Sequence, residues 1–192
     1  MSTKVLSNVV DAIIEFWFGN ADADDYGRER PEWFVKNAAF DAEISTKYIR
    51  VLEAARVGQL DMMADSPEGA VALVVVLDQF PRNVYRNDAR AFENDAHALR
   101  LAHDALERGF DAEVMPVMRK FLYLPFEHSE NLTDQERSLA LFASLDGQSL
   151  EWAQKHHAII DRFGRFPHRN AVLGRISTPE EKAFLTEPNS SF

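Results

Sequence analysis

The sequence predicts an all-α fold, and three observations carry that expectation. Apolar residues recur at spacings of three and four along most of the chain. Helix-starting pairs, Ser66-Pro67 and Thr178-Pro179, stand before such stretches. The one run that would suit a buried strand, AVALVVVLDQF at 70–80, has no second run to pair with. About seven or eight helices joined by short loops imply antiparallel helix pairs, either an irregular bundle or a stacked superhelix, in a single domain over residues 1–192.

The elements follow in order. Val9, Val10, Ile13, Ile14, Trp17 and Phe18 form one apolar stripe of a first helix, Val5 to Phe18, stopped by Gly19. Residues 20–30 are charged and aperiodic and read as a loop, with Pro31 opening a turn that carries Trp33 and Phe34. A helix from about Phe40 to Val57 ends at Gly58. Ser66 caps a helix that buries 70–80 and is ended by Pro81. Asp88 to Arg108 is helical up to Gly109, and Pro116 to His128 is a helix that Pro125 bends or ends. Thr133 to Glu136 reads as a capping box opening a helix that ends near Asp146-Gly147. Gln148 to Phe163 is the next helix, Thr178 to Glu181 caps a last short one, and residues 187–192 are expected to fray.

Composition narrows the function classes. A formal charge of -10 over 192 residues, none of them Cys, is strongly acidic, and that charge disfavours nucleic acid and anionic membranes as partners. The missing Cys also removes disulfides, thiolate nucleophiles and Cys-ligated metal sites. The opening MSTKVLSNVV lacks the apolar core of a secretory signal, so a cytoplasmic location is expected. No metal-binding spacing, P-loop or nucleophile elbow is present, and neither a metal nor a cofactor is expected.

Three stretches carry polar residues that could do chemistry. In LDQFPRN, Asp78 falls at the end of the most apolar helix, where desolvation and the helix dipole both penalise a carboxylate, so it needs a partner such as Arg82. In FLYLPFEHSE, Glu127 and His128 put a carboxylate beside an imidazole, a combination that serves acid–base work or a simple capping corner. The third stretch runs from His156 to Asn170. His156 lies at the centre of an apolar helix face, while Arg162, Arg165, His168, Arg169 and Arg175 make a basic segment within an acidic protein. Compensation of Asp78 and Glu127 by arginines between 162 and 169 would bring all three stretches around one polar site.

These stretches, with the opening IIEFWFG, resemble the bacterial family catalogued as domain of unknown function 924 over about residues 9–185. The resemblance implies an all-helical fold similar to tetratricopeptide-like superhelices and no established activity. It places emphasis on Asp78, Gln79, Arg82, Asn83, Glu127, His128, His156, Arg162, Arg165, His168, Arg169 and Asn170.

Three functional readings follow. A helical binding module for a small anionic ligand or acidic peptide, with a homodimer as one expected state, would use Asp78, Arg82, His156, Arg162, Arg165 and Arg169. A hydrolase-type enzyme would use Glu127, His128 or His168 as acid or base beside arginine anion clamps. A structural protein would spend all of these residues on internal braces.

Overall fold

The computed structural model describes residues 3–188, 190 and 191, and among them it contains helices and no strands. Helix α1 is Thr3–Phe18 and buries Ile13, Ile14, Trp17 and Phe18. It stops at Gly19, whose φ of 96° is open to a residue without a Cβ. The 20–30 loop leads to a short 3-10 turn, Pro31–Trp33, where the buried Trp33 indole donates to the Trp17 carbonyl at 3.1 Å. Helix α2 is Ala38–Arg56, two residues longer at its start than the periodicity suggests, because Asn37 caps the amides of Ala39 and Phe40.

Helix α3 spans 67–84 and is the centre of the molecule: Ser66 caps it, and residues 69–81 are all buried. It packs against α1 and α2 and against the two helices α4 and α5 that follow, Asp95–Glu107 and Pro116–His128. Pro81 does not end α3, contrary to expectation. A π turn over Val75–Gln79 precedes it, with the Phe80 amide donating to Val75 five residues back. Widening the turn there relieves the clash a proline ring makes with the preceding carbonyls, and the helix continues to Val84. Asp78 therefore sits within a π turn rather than in a last helical turn.

The remaining departures are local. Residues 88–94 are not α-helical: the Asp88 carboxylate accepts from the Arg90 amide and holds a 3-10 turn, Ala89–Ala91, ahead of α4. Helix α5 runs through Pro125 to His128. Helix α6, Leu132–Phe142, is capped by Asn131 accepting from the Thr133 amide, so the box expected at Thr133 does not form and the helix ends before Asp146. Helix α7, Gly147–Phe163, starts on an Asp146 cap and ends at Gly164 with φ 67°. Helix α8, Pro179–Phe184, carries the expected Thr178 and Glu181 capping box.

Helices α4 to α7 each pack on the next, and a second small core of Ile159, Ile160, Phe166 and Phe184 joins the end of α7 to α8. The C-terminal segment is not simply loose, since Ser190 is buried and donates to the Leu185 carbonyl; Asn189 and Phe192, also expected to fray, lie outside the described residues. No helix is long and apolar enough among the described residues to cross a membrane.

Candidate functional site

The π turn of α3, the first turn of α4, the end of α5, one face of α7 and the 166–169 segment after it supply a single polar cluster within the apolar interior. At its centre the Asp78 carboxylate is fully buried. Burial alone would raise its pKa, but the Arg82 charge and the hydrogen bonds from His128 and Gln79 outweigh it, holding Asp78 ionised well below the usual carboxylate range. Gln79 Nε2 donates to Oδ2 at 2.5 Å. Arg82 Nη1 stands 3.3 Å from Oδ1 and also donates to the Asp78 carbonyl oxygen at 2.6 Å.

His128 Nδ1 lies 2.8 Å from Asp78 Oδ1. An ionised carboxylate only accepts, so Nδ1 carries the proton and Nε2 holds the lone pair. Nε2 has no hydrogen-bond partner among the described residues, and the side chain is 13% exposed. Burial and the neighbouring Arg82 lower the His128 pKa against the opposing pull of Asp78, which keeps the imidazole neutral near pH 7.

Glu127, the adjacent residue, belongs to the same cluster but has other neighbours. Its carboxyl is pushed up to about 8 by burial, with Lys120 opposing and the charge of Asp78 adding to the rise. It is therefore a neutral acid at pH 7, and its buried Oε2 has no hydrogen-bond partner among the described residues. Oε1 is 3.3 Å from His156 Nδ1, which donates to the Trp152 carbonyl at 2.9 Å. Burial takes the His156 pKa down to about 3 and the His168 pKa down to about 4, with Arg169 lowering both further.

Arginines close one side. Arg82 grips Asp95 through two parallel bonds of 2.9 and 3.0 Å, and Arg169 reaches the same carboxylate at 3.2 Å. Phe92 and Phe166 flank the Arg169 guanidinium, with ring centroids 4.6 and 4.5 Å from its central carbon. Glu130 holds this segment in place, accepting from the Phe166 amide at 2.8 Å and from Arg175 at 2.6 and 3.0 Å.

Of the residues singled out by sequence, Asp78, Arg82, Glu127, His128, His156, His168 and Arg169 converge here. Arg162 and Arg165 do not. Arg165 makes a bidentate pair with Glu181, at 2.6 and 2.9 Å, and so fastens α8 instead of the site. Arg162 is exposed and lies over the rings of Phe163 and Phe184. Glu127 and Asp78 are thus not compensated by these two arginines: Glu127 is neutralised by taking up a proton, and Asp78 uses Arg82 from its own helix. Asp95, Glu130, Phe92 and Phe166 were not legible as site residues, because each owes its place to a contact across tens of residues. Among the described residues, no three His, Asp or Glu side chains are grouped as a metal ion would require.

A family model described as a bacterial protein of unknown function, DUF924, matches residues 13–189. The chain belongs to this family. The solved structure of a protein of unknown function from Agrobacterium tumefaciens is similar to this DUF924 chain at 37% identity and a TM-score of 0.86, covering 93% of this chain and 97% of that one. No curated protein matches it. The all-helical fold of this DUF924 protein therefore has a solved counterpart, and its polar cluster is the feature from which a function can be argued.

Proposed function

We propose that the chain is a hydrolase-type acid–base enzyme acting on a small molecule, with Asp78 and His128 as the base and Glu127 as a proton donor. One observation carries the reading. A fully buried carboxylate fixes the tautomer of a neutral, partly exposed imidazole whose Nε2 has no hydrogen-bond partner among the described residues, while the next residue is a carboxyl kept protonated. Pairs of titratable groups driven to opposite protonation states in one site are the usual signature of a base and an acid. His128 Nε2 takes a proton from a water as its oxygen attacks the substrate. The imidazolium is stabilised by Asp78, and Glu127 donates to the departing group.

The alternative that these residues are internal braces fits another part of the molecule. Arg165 with Glu181 and Arg175 with Glu130 are bidentate pairs that fasten chain segments, and we read them as structural. We also read the successive helix packing as tetratricopeptide-like, and the acidic chain as a cytoplasmic protein that meets small molecules in preference to nucleic acid or membranes.

The test is turnover of a panel of chromogenic esters, phosphoesters, amides and lactones by the wild type and by His128→Ala. The reading expects turnover that falls roughly 100- to 10,000-fold in the variant, with a cooperative unfolding transition showing that it is folded. Turnover that survives the substitution, or none with any of the substrates, contradicts it.

A further inference from the structure

Arg169 is a buried cation whose bonding is unfinished. Among the described residues its one hydrogen bond, from Nη1 to Asp95 Oδ2, is 3.2 Å long, and that carboxylate is already gripped at both oxygens by Arg82. The Nε atom is buried with no partner, and Nη2 makes no hydrogen bond among the described residues. Nε–H and one Nη2–H lie along a single edge of the planar guanidinium. This is the edge that holds a carboxylate or a phosphate through two parallel, charge-assisted bonds. Arg82 instead engages Asp95 through its two terminal nitrogens and is compensated by Asp78 as well.

Two further features show that the edge is kept for something. Leaving a buried guanidinium donor unsatisfied is costly, and no described side chain relieves it. Burial also outweighs the help of Asp95, with Arg82 adding repulsion, and brings the Arg169 pKa down to about 10. The residue remains charged at pH 7 but under-compensated. The rings of Phe92 and Phe166 fix its plane, and Glu130 fixes Phe166 through its amide. Arg169 is also linked to the base by consecutive contacts, through Asp95, Arg82 and Asp78 to His128.

We propose that Arg169 is the receptor for an oxyanionic group of the substrate, a carboxylate or a phosphate, seated on its Nε–Nη2 edge. The site then acts on small molecules that carry such a group near the bond to be hydrolysed. This assignment names the substrate class for the acid–base reading above and rests on it for the chemistry, whereas the binding itself is independent of that reading.

The experiment follows the arginine Nε–H resonances of the wild type by heteronuclear NMR. The Arg169 signal is identified by its contacts to the rings of Phe92 and Phe166. Sodium phosphate and sodium acetate are titrated separately at an ionic strength held constant with chloride. The proposal expects a saturable displacement of the Arg169 signal by at least one of the two, the more effective anion identifying the group recognised. Arg169→Lys should weaken that binding by about tenfold or more, because a lysine cannot make the second parallel bond. His128→Ala should bind as the wild type does. Since the first observation is made on the unaltered protein, a variant that fails to fold leaves the test intact. Absence of saturable displacement with both anions overturns the proposal, as does displacement confined to the exposed Arg162, equal binding by Arg169→Lys, or loss of binding in a His128→Ala protein whose cooperative unfolding shows that it is folded. An anion that binds without any turnover would remove the acid–base reading and leave the receptor standing. Turnover without anion binding would do the reverse.

Discussion

Glu127→Gln isolates the cost of the buried acid. The ordinary pKa of 4.5 applies to the unfolded chain, and in the folded protein burial raises it to about 8. Between these values the folded state holds a proton that the unfolded state has released, so stability falls as pH rises. The contribution is full below pH 4.5 and is lost as pH passes through about 8. At 1.36 kcal/mol per pKa unit the displacement corresponds to about 3–5 kcal/mol. Glutamine has nearly the same shape and no proton to lose. The histidines with lowered pKa values give the opposite trend, losing stability as pH falls below 6.5, but they are common to both proteins and cancel in the difference. Urea unfolding of the two proteins across this pH range measures that difference. The variant should gain on the wild type by about 1.4 kcal/mol per pH unit until the gain levels off near pH 8. Parallel profiles would refute the reasoning, because they would mean that Glu127 titrates alike in both states.

Other substitutions probe the frame around the site. Asp95→Ala removes the carboxylate shared by Arg82 and Arg169 and should destabilise by about 3–5 kcal/mol in urea unfolding, the loss expected when buried charges are left unpaired. Arg165→Ala orphans only Glu181, which keeps its bonds from the Thr178 amide and Asn170, and should lower the urea midpoint less than Asp95→Ala does while leaving turnover unaltered. Gly69→Ala would put a Cβ 1.8 Å from the Met63 carbonyl oxygen, and the calorimetric midpoint should fall by an amount reflecting at least about 1–3 kcal/mol of overpacking.

Much of the fold could be read from the chain because its signals are local. Ser66 and Thr178 cap the helices they precede in the sequence, and the glycines at 58, 109 and 164 take the left-handed conformation that follows a helix end. The misreadings arose where two local rules competed. Pro81 announces a helix end, yet the buried run that leads up to it makes a widened turn less costly than breaking the central helix. Thr133 to Glu136 has the letters of a capping box, but Asn131 stands two residues earlier and caps first. The site was legible in part for the same reason. Asp78, Glu127, His128 and Arg169 are polar residues in apolar stretches, which marks them for pairing without saying with what. The partner choice is set by tertiary packing: Arg165 was as plausible a mate for Asp78 as Arg82 until α8 placed Glu181 beside it. Asp95 looks like an ordinary acid in the first turn of a helix, and only the folded chain shows it between two arginines.

The central claim is that His128 is a neutral imidazole with its proton on Nδ1, held there by Asp78 and presenting Nε2 to a substrate. The ring nitrogen shifts of His128, followed by NMR as a function of pH, test it most directly. A protonated Nδ1 and an unprotonated Nε2 are expected at pH 7, with the ring taking up its second proton only below the ordinary value of 6.5. In Asp78→Asn the fixed tautomer should give way to a mixture. A proton found on Nε2 at pH 7, or a ring that titrates at or above 6.5, would contradict the account.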